Sequence, residues 1–164
     1  MAYTVFRSDN LPGIDNRAYN TSVLVVDGNG DPIAVENGTI VKVGAKVTGK
    51  HDLYTATLAT NSDTDLTKLA IIGTPELIHD ESTYHNLDEF INPAGKAAAA
   101  YMLGRGGDFA VTKEGFASAT APSSVGGTVG IASSGGKINA SGSGLGTVLA
   151  IETAGRYTFY TIRM

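Results

Sequence analysis

The side chains with chemical potential are best judged by their spacing. Asp27-Gly28-Asn29-Gly30-Asp31 sets oxygen donors at alternate positions, as at the start of a calcium-binding loop. Such a loop requires glycine at its sixth position and glutamate at its twelfth, where this chain has Pro32 and Gly38. A tight turn accounts for all five residues. Gly135-Gly136-Lys137 has the look of a phosphate-cradling loop, but Ile131 stands where the first glycine belongs and Ile138 where a Ser or Thr should hold magnesium. Gly142-Ser143-Gly144-Leu145-Gly146 has nucleotide-loop glycine density yet leads into a strand-like run, and Ser143 lacks the spacing of a nucleophile elbow.

The three histidines, His51, His79 and His85, form no i, i+4 pair, and there is no cysteine to complete a ligand set. The neighbouring carboxylates Asp63 and Asp65, and Asp88 and Glu89, lie in polar segments with nothing to enclose them, whereas acid–base work needs a cleft. These residues predict no catalytic group, no metal site and no cofactor, and the chain is read as a non-enzyme.

The elements that carry these residues follow a period of two. Residues 23–27 form a short apolar, β-branched strand that ends in the turn at 28–32. Asn37-Gly38 predicts a type I′ hairpin turn between residues 33–36 and 39–43. Residues 53–58 alternate as a strand, and the apolar run 66–72 predicts another. Leu87, Phe90 and Ile91 recur at helical spacing and predict one short helical turn within 80–91. Residues 96–103 contain four consecutive alanines, which on propensity alone leaves helix and strand both open.

From residue 113 onward small residues dominate, with strand candidates at 125–131, 136–140, 145–152 and 156–163. The last two predict a closing hairpin, and the recurrence of Val125, Val129, Ile131 and Ile138 favours a compact barrel over a flexible linker. Residues 1–22 show no periodicity. They predict an extended arm with apolar anchors at Phe6, Leu11, Ile14 and Tyr19, able to add to a sheet edge.

The expected fold is all-β: mainly antiparallel hairpins in small barrel-like modules, an extended N-terminal arm and at most one short helix. The expected organisation is an arm at 1–22, a β-rich module at 23–103 and a Gly-rich, barrel-like module at 104–164, divided near the glycines at 104–107. Among 164 residues, 12 are basic and 16 acidic, a net charge of −4, which speaks against a nucleic-acid or polybasic membrane partner. No apolar run reaches the roughly 18 residues of a membrane helix. The opening residues lack a basic head followed by an apolar stretch, so synthesis in a cytoplasm is expected.

Four segments, in order, resemble the head decoration, or cement, proteins encoded beside the major capsid protein of tailed bacteriophages. They are Glu36-Asn37-Gly38-Thr39-Ile40-Val41-Lys42-Val43-Gly44 with Leu53-Tyr54-Thr55-Ala56-Thr57, and Ile71-Ile72-Gly73-Thr74-Pro75-Glu76 with Leu87-Asp88-Glu89-Phe90-Ile91-Asn92-Pro93-Ala94-Gly95-Lys96-Ala97. Tyr101-Met102-Leu103 with Gly107-Asp108-Phe109-Ala110-Val111-Thr112 follows, then Glu152-Thr153-Ala154-Gly155-Arg156 through Tyr160-Thr161-Ile162-Arg163. Together they span about half the chain.

The resemblance implies a strand at 96–103 and a structural virion protein on the outer capsid surface. Made in the host bacterial cytoplasm, it would bind the major capsid protein, bridge its subunits and self-associate, with a trimer at local threefold axes expected by analogy. Phe6, Leu11, Ile14 and Tyr19 are the expected capsid-binding arm, and Tyr157 and Phe159 the expected subunit interface. The rival class is a carbohydrate-binding β module or head appendage contacting a host surface. Tyr3, Tyr54, Tyr84 and Tyr101 would be its stacking platforms, although tryptophan is absent.

Overall fold

The computed structural model describes residues 2–9, 11, 20–76 and 86–164. Among them the chain is all-β, with eleven strands and five single-turn 3-10 helices of three residues each. Among the described residues no helix is long and apolar enough to cross a membrane. After a short strand β1 (Phe6–Arg7), five strands follow: β2 (Asn20–Val25), β3 (Ile40–Lys46), β4 (Leu53–Leu58), β5 (Leu69–Ile72) and β6 (Ala98–Met102). These five close into a barrel in the order β2-β4-β3-β5-β6. Every pairing is antiparallel except β2 with β4.

The second unit contains β7 (Asp108–Val111), β8 (Thr128–Ile131), β9 (Ile138–Asn139), β10 (Gly146–Ala154) and β11 (Tyr157–Arg163). With β1 they make a six-stranded sheet in the order β1-β7-β11-β10-β8-β9. The expected closing hairpin is present: Ala154 pairs with Tyr157 across Gly155-Arg156, and Gly155 supplies the positive φ, 61°, that such a short connection needs.

The barrel is narrow, and its filling explains the alanines. Val23, Val25, Val35, Val41, Ala56, Ala70, Ile72, Ala98 and Ala100 form its interior cluster. A five-stranded closure leaves little room, so alternate positions of β6 take methyl groups, and tertiary packing overrides alanine's helix preference. β5 is buried at all four positions. Its Ala70 and Ile72 point into the barrel, while Leu69 and Ile71 join the core of the sheet. A strand buried on both faces reads as a continuous apolar run, which is why residues 69–72 show no alternation.

The larger core crosses from one unit to the other. Ile40, Ala59, Leu69, Ile71 and Leu103 from the barrel side pack with Phe109, Val111, Phe116, Val129, Ile131, Ile138, Val148 and Ile162 from the sheet side. The chain passes between the units through a 3-10 turn at Leu103–Arg105 and two positive-φ glycines, Gly106 and Gly107. The described N-terminal residues lie along the same chain's own sheet, with β1 as its edge strand against β7. Val5 and Phe6 are buried on opposite faces, Val5 with Phe159 and Phe6 in the shared core.

Two expectations are revised. Asn37-Gly38 turns the chain but joins no hairpin, because β2 pairs with β4 and β6 and not with β3. Type I′ needs positive φ at both residues, and only Gly38 has it, at 77°. The run 66–72 is a strand only from Leu69. Leu66–Lys68 form a 3-10 turn, with the Asp65 carboxylate accepting the Thr67 N–H. The glycine-rich stretch is ordered through two 3-10 turns, β8 and β9 into the shared core. The expected helical turn within 80–91 is a 3-10 turn at Leu87–Glu89, and residues 80–85 lie outside the described residues.

Gly136 shows what the glycines permit. Its carbonyl accepts the Ile40 N–H at 2.7 Å, and its own N–H donates to the Ala59 carbonyl at 3.2 Å. It has φ of 63°, and a Cβ there would stand 2.3 Å from the Ile40 carbonyl oxygen. Gly136→Ala should therefore cost about 2–4 kcal/mol, from left-handed backbone strain plus overpacking. Gly28→Ala, with open space around it and ordinary φ, should change stability by less than about 0.5 kcal/mol. Urea unfolding of the two variants beside the parent chain measures both.

Candidate interaction surface

Two of the carboxylates with ligating potential hold local turns and strands. One Asp27 carboxylate oxygen accepts the N–H groups of Asn29 and Asp31 at 2.8 and 3.0 Å, and these bonds hold its pKa below the ordinary range. Asp63 accepts from the Lys42 ammonium and the Thr60 N–H, which lowers its pKa as well. His51 is exposed, and His79 and His85 lie outside the described residues. Among the described residues no group of three or more His, Asp or Glu could hold a metal ion.

Lys137 is a clamp. Its ammonium donates to Glu36 Oε2 at 2.9 Å, to the Glu114 carbonyl at 2.9 Å and to Thr4 Oγ1 at 3.3 Å. Thr4 closes the triangle through its N–H and hydroxyl, both donating to the same Glu36 oxygen at 2.9 and 2.8 Å. One half-buried charge pair thus ties the N-terminal segment, the entry to β3 and the sheet together. Its geometry favours Lys over Arg, because three bonds diverge from one compact ammonium.

Beside it lies an amide network. Asn37 is 1% exposed; its Nδ2 donates to the Thr74 carbonyl and to Glu76 Oε1, and its Oδ1 accepts from the Thr74 N–H and from Asn92 Nδ2. Asn92 Nδ2 also reaches the Val35 carbonyl. Burial pushes the Glu76 carboxyl above its ordinary pKa, with the Asn37 amide working the other way.

A different arrangement covers the outer face of the sheet. Tyr157 and Phe159 alternate along β11, and their rings lie 6.2 Å apart. The Arg156 guanidinium sits 5.1 Å from the centre of the Tyr157 ring, and that of Arg7 sits 5.4 Å from the centre of Phe159. Arg156 also grips Asp88 with two bonds of 2.7 and 2.8 Å and Asn86 with one of 2.8 Å. The Tyr157 hydroxyl donates to Asp88 at 3.0 Å, and partial burial followed by this bond raises its pKa, so it remains a donor. Leu87, 39% exposed, stands beside Asp88. A cleft of about 350 Å³ flanks the group, lined by Asp88, Lys113, Glu114, Arg156, Tyr157 and Tyr160 among others. Arginine and tyrosine, here stacked together, are among the side chains that dominate protein interfaces.

The residues expected from the sequence fall in three places. Phe6 and Leu11 are buried in the shared core, with Phe6 6.3 Å from Tyr101 and 6.2 Å from Phe109 between ring centres. Ile14, Tyr19 and Tyr84 lie outside the described residues. Tyr157 and Phe159 are together on the outer face, Phe159 largely covered by Val5 and Ala110 and Tyr157 half-buried. Tyr101 is engaged by Phe6, and Tyr54 contributes to the barrel. The arginines and Asp88 were missed; Arg156 at the hairpin turn beside Tyr157 was the signal for them. No family model, no curated protein and no solved structure matches this chain. It stands as an all-β protein in which a five-stranded barrel shares its core with a six-stranded sheet.

The raised Glu76 pKa has a definite sign. The carboxyl binds its proton more tightly folded than unfolded, so its contribution is fully present below the ordinary glutamate pKa of 4.5 and is lost as pH rises through the folded value. Glu76→Gln keeps an acceptor for Asn37 and removes the charge. It should raise the thermal midpoint at neutral pH and leave it unchanged below the ordinary pKa, as read by melting curves across acidic to neutral pH.

Proposed function

We propose that this chain is a structural virion protein, a head decoration protein that binds the outer surface of a phage capsid and stabilises it by bridging major capsid subunits. The observation that carries the reading is the outer sheet face, where Arg7 and Arg156 are stacked on Phe159 and Tyr157 beside exposed Leu87. Interfaces draw their energy from such arginine and aromatic anchors. The four segments that resemble decoration proteins support the same reading, and β11 with its hairpin turn falls in the last of them.

The mechanism is mechanical. A decoration protein adds contacts that internal DNA pressure must break before subunits separate. Contacts repeated over the lattice act together, so weak single affinities become strong retention. A fold whose two units share a core and are joined by a charge clamp passes load between contact points without first opening. In this reading the outer face meets the capsid subunit. The buried Phe6 and Leu11 hold β1 in place, so removing residues 1–20 would strip an edge strand from the sheet as well as any arm. Self-association into trimers at threefold positions is part of the proposal by analogy.

The test uses purified full-length chain and purified heads of the encoding phage prepared without it. Electron cryo-microscopy should show regular density on the outer shell, and the occupied heads should resist a higher temperature than bare ones. Leu87→Asp alters an exposed side chain, and Arg156→Lys keeps a cation for Asp88 while removing the planar stack on Tyr157. Each should weaken occupancy about tenfold or more while the thermal midpoint of the free chain stays near that of the parent. Bare heads after incubation, or full occupancy by both variants, contradict the proposal.

A further inference from the structure

The open end of the barrel is a second surface with its own chemistry. Residues at the start of β2 and β4, with Val43 of β3 and Ala99 and Met102 of β6, frame a mouth of about 790 Å³, lined by Asn20, Thr21, Ser22, Val43, Asp52, Tyr54, Ala99 and Met102. That volume lies in the range of small-ligand sites, which favour barrel mouths. Tyr54, Val43 and Met102 pack against the interior cluster and give the mouth an apolar wall. Asn20 and Asp52 are exposed at its rim. Thr21 Oγ1 is the one buried side-chain oxygen among the described residues with no hydrogen-bond partner. A hydroxyl placed at the base of the mouth would gain a bond that the protein does not already make.

From this lining we infer that the barrel mouth binds a short neutral saccharide. The argument is one of matching surfaces. A sugar ring has an apolar C–H face, which an aromatic wall such as Tyr54 accepts, and a rim of hydroxyls that both donate and accept. Asn20 offers both functions at the exposed rim, Thr21 offers a hydroxyl, and the Asp52 carboxylate accepts. An aliphatic chain would strip water from these polar groups without pairing them. No excess of charge at the mouth favours an ion: Asp52 lies at the rim, and the Lys46 ammonium sits 5.6 Å from the centre of the Tyr54 ring. The inference is independent of the capsid reading, because it uses the barrel end and none of the residues of the outer sheet face.

The test is a titration of the full-length, isotope-labelled chain with cellobiose, maltose and chitobiose in turn, followed by amide resonances. At least one disaccharide should shift the amides of residues 20–22, 52 and 54 saturably, with a millimolar or tighter Kd, while those of residues 157–163 stay still. Tyr54→Ala should weaken that binding about tenfold or more. Because Tyr54 also packs against the barrel interior, Asn20→Ala serves as a second variant at an exposed position, and it too should weaken binding. Decanoate added alone should leave the same amides unmoved. The inference is overturned if no disaccharide shifts the mouth residues, if the shifts map elsewhere, if Asn20→Ala binds like the parent, or if decanoate alone moves them. None of these outcomes depends on whether the chain binds phage heads.

Discussion

The rest of the structure depends on the insertion of Gly136-Lys137 into the barrel wall. Gly136 exchanges backbone hydrogen bonds with Ile40 and Ala59, and the next residue places an ammonium between Glu36, Thr4 and the Glu114 carbonyl. This plug aligns β3 with the sheet and so presents Ile40, Leu69 and Ile71 to Phe109, Val111 and Ile162. The barrel needs that cover. Its interior is built largely from valine and alanine, which bury little apolar area each, and a unit of this size has a meagre core on its own. The shared core completes both units at once. The charge pair contributes more to geometry than to energy, since a half-exposed ion pair gains little in net terms.

That arrangement also directs the functional reading. Charged and amide side chains that might have served chemistry are instead spread among structural contacts: Lys137 with Glu36, Arg163 with Asp108, Lys42 with Asp63, Asn37 with Asn92. Two surfaces present groups that suit binding. The outer sheet face carries arginine–aromatic stacks, and the barrel mouth carries a tyrosine wall beneath hydroxyl and amide groups. In the readings proposed above, the first surface would meet a capsid lattice and the second a small polar ligand.

Local pattern was enough to read much of the fold. Residues 53–58 alternate and form β4; the aromatics of residues 156–163 mark β11; the dense turn signal at 28–32 ends the strand before it. What escaped depends on partners distant in sequence. Asn37-Gly38 carries a hairpin code, yet the Asn37 amide is drawn to Thr74 and Asn92, and the chain turns without pairing its flanks. The N-terminal residues show no period because Val5 and Phe6, adjacent in the chain, enter different clusters. The spacing around Gly135-Gly136-Lys137 does not match a phosphate loop, and its structural role could not be read locally, since its partners Thr4 and Glu36 lie 133 and 101 residues away. At the candidate surface Tyr157 and Phe159 were legible as an aromatic pair on one strand face, while Asp88 and Arg7 reach them only through the tertiary fold.

Native-state hydrogen exchange tests the central claim, that one joint core governs both units, most directly. The slowest amides of the barrel, in β2 around Val23, and of the sheet, in β11 around Ile162, should exchange through the same global opening, with equal free energies and equal dependence on denaturant. Barrel amides that exchange through a separate opening, at a lower free energy and with a smaller denaturant dependence than the sheet, would contradict it.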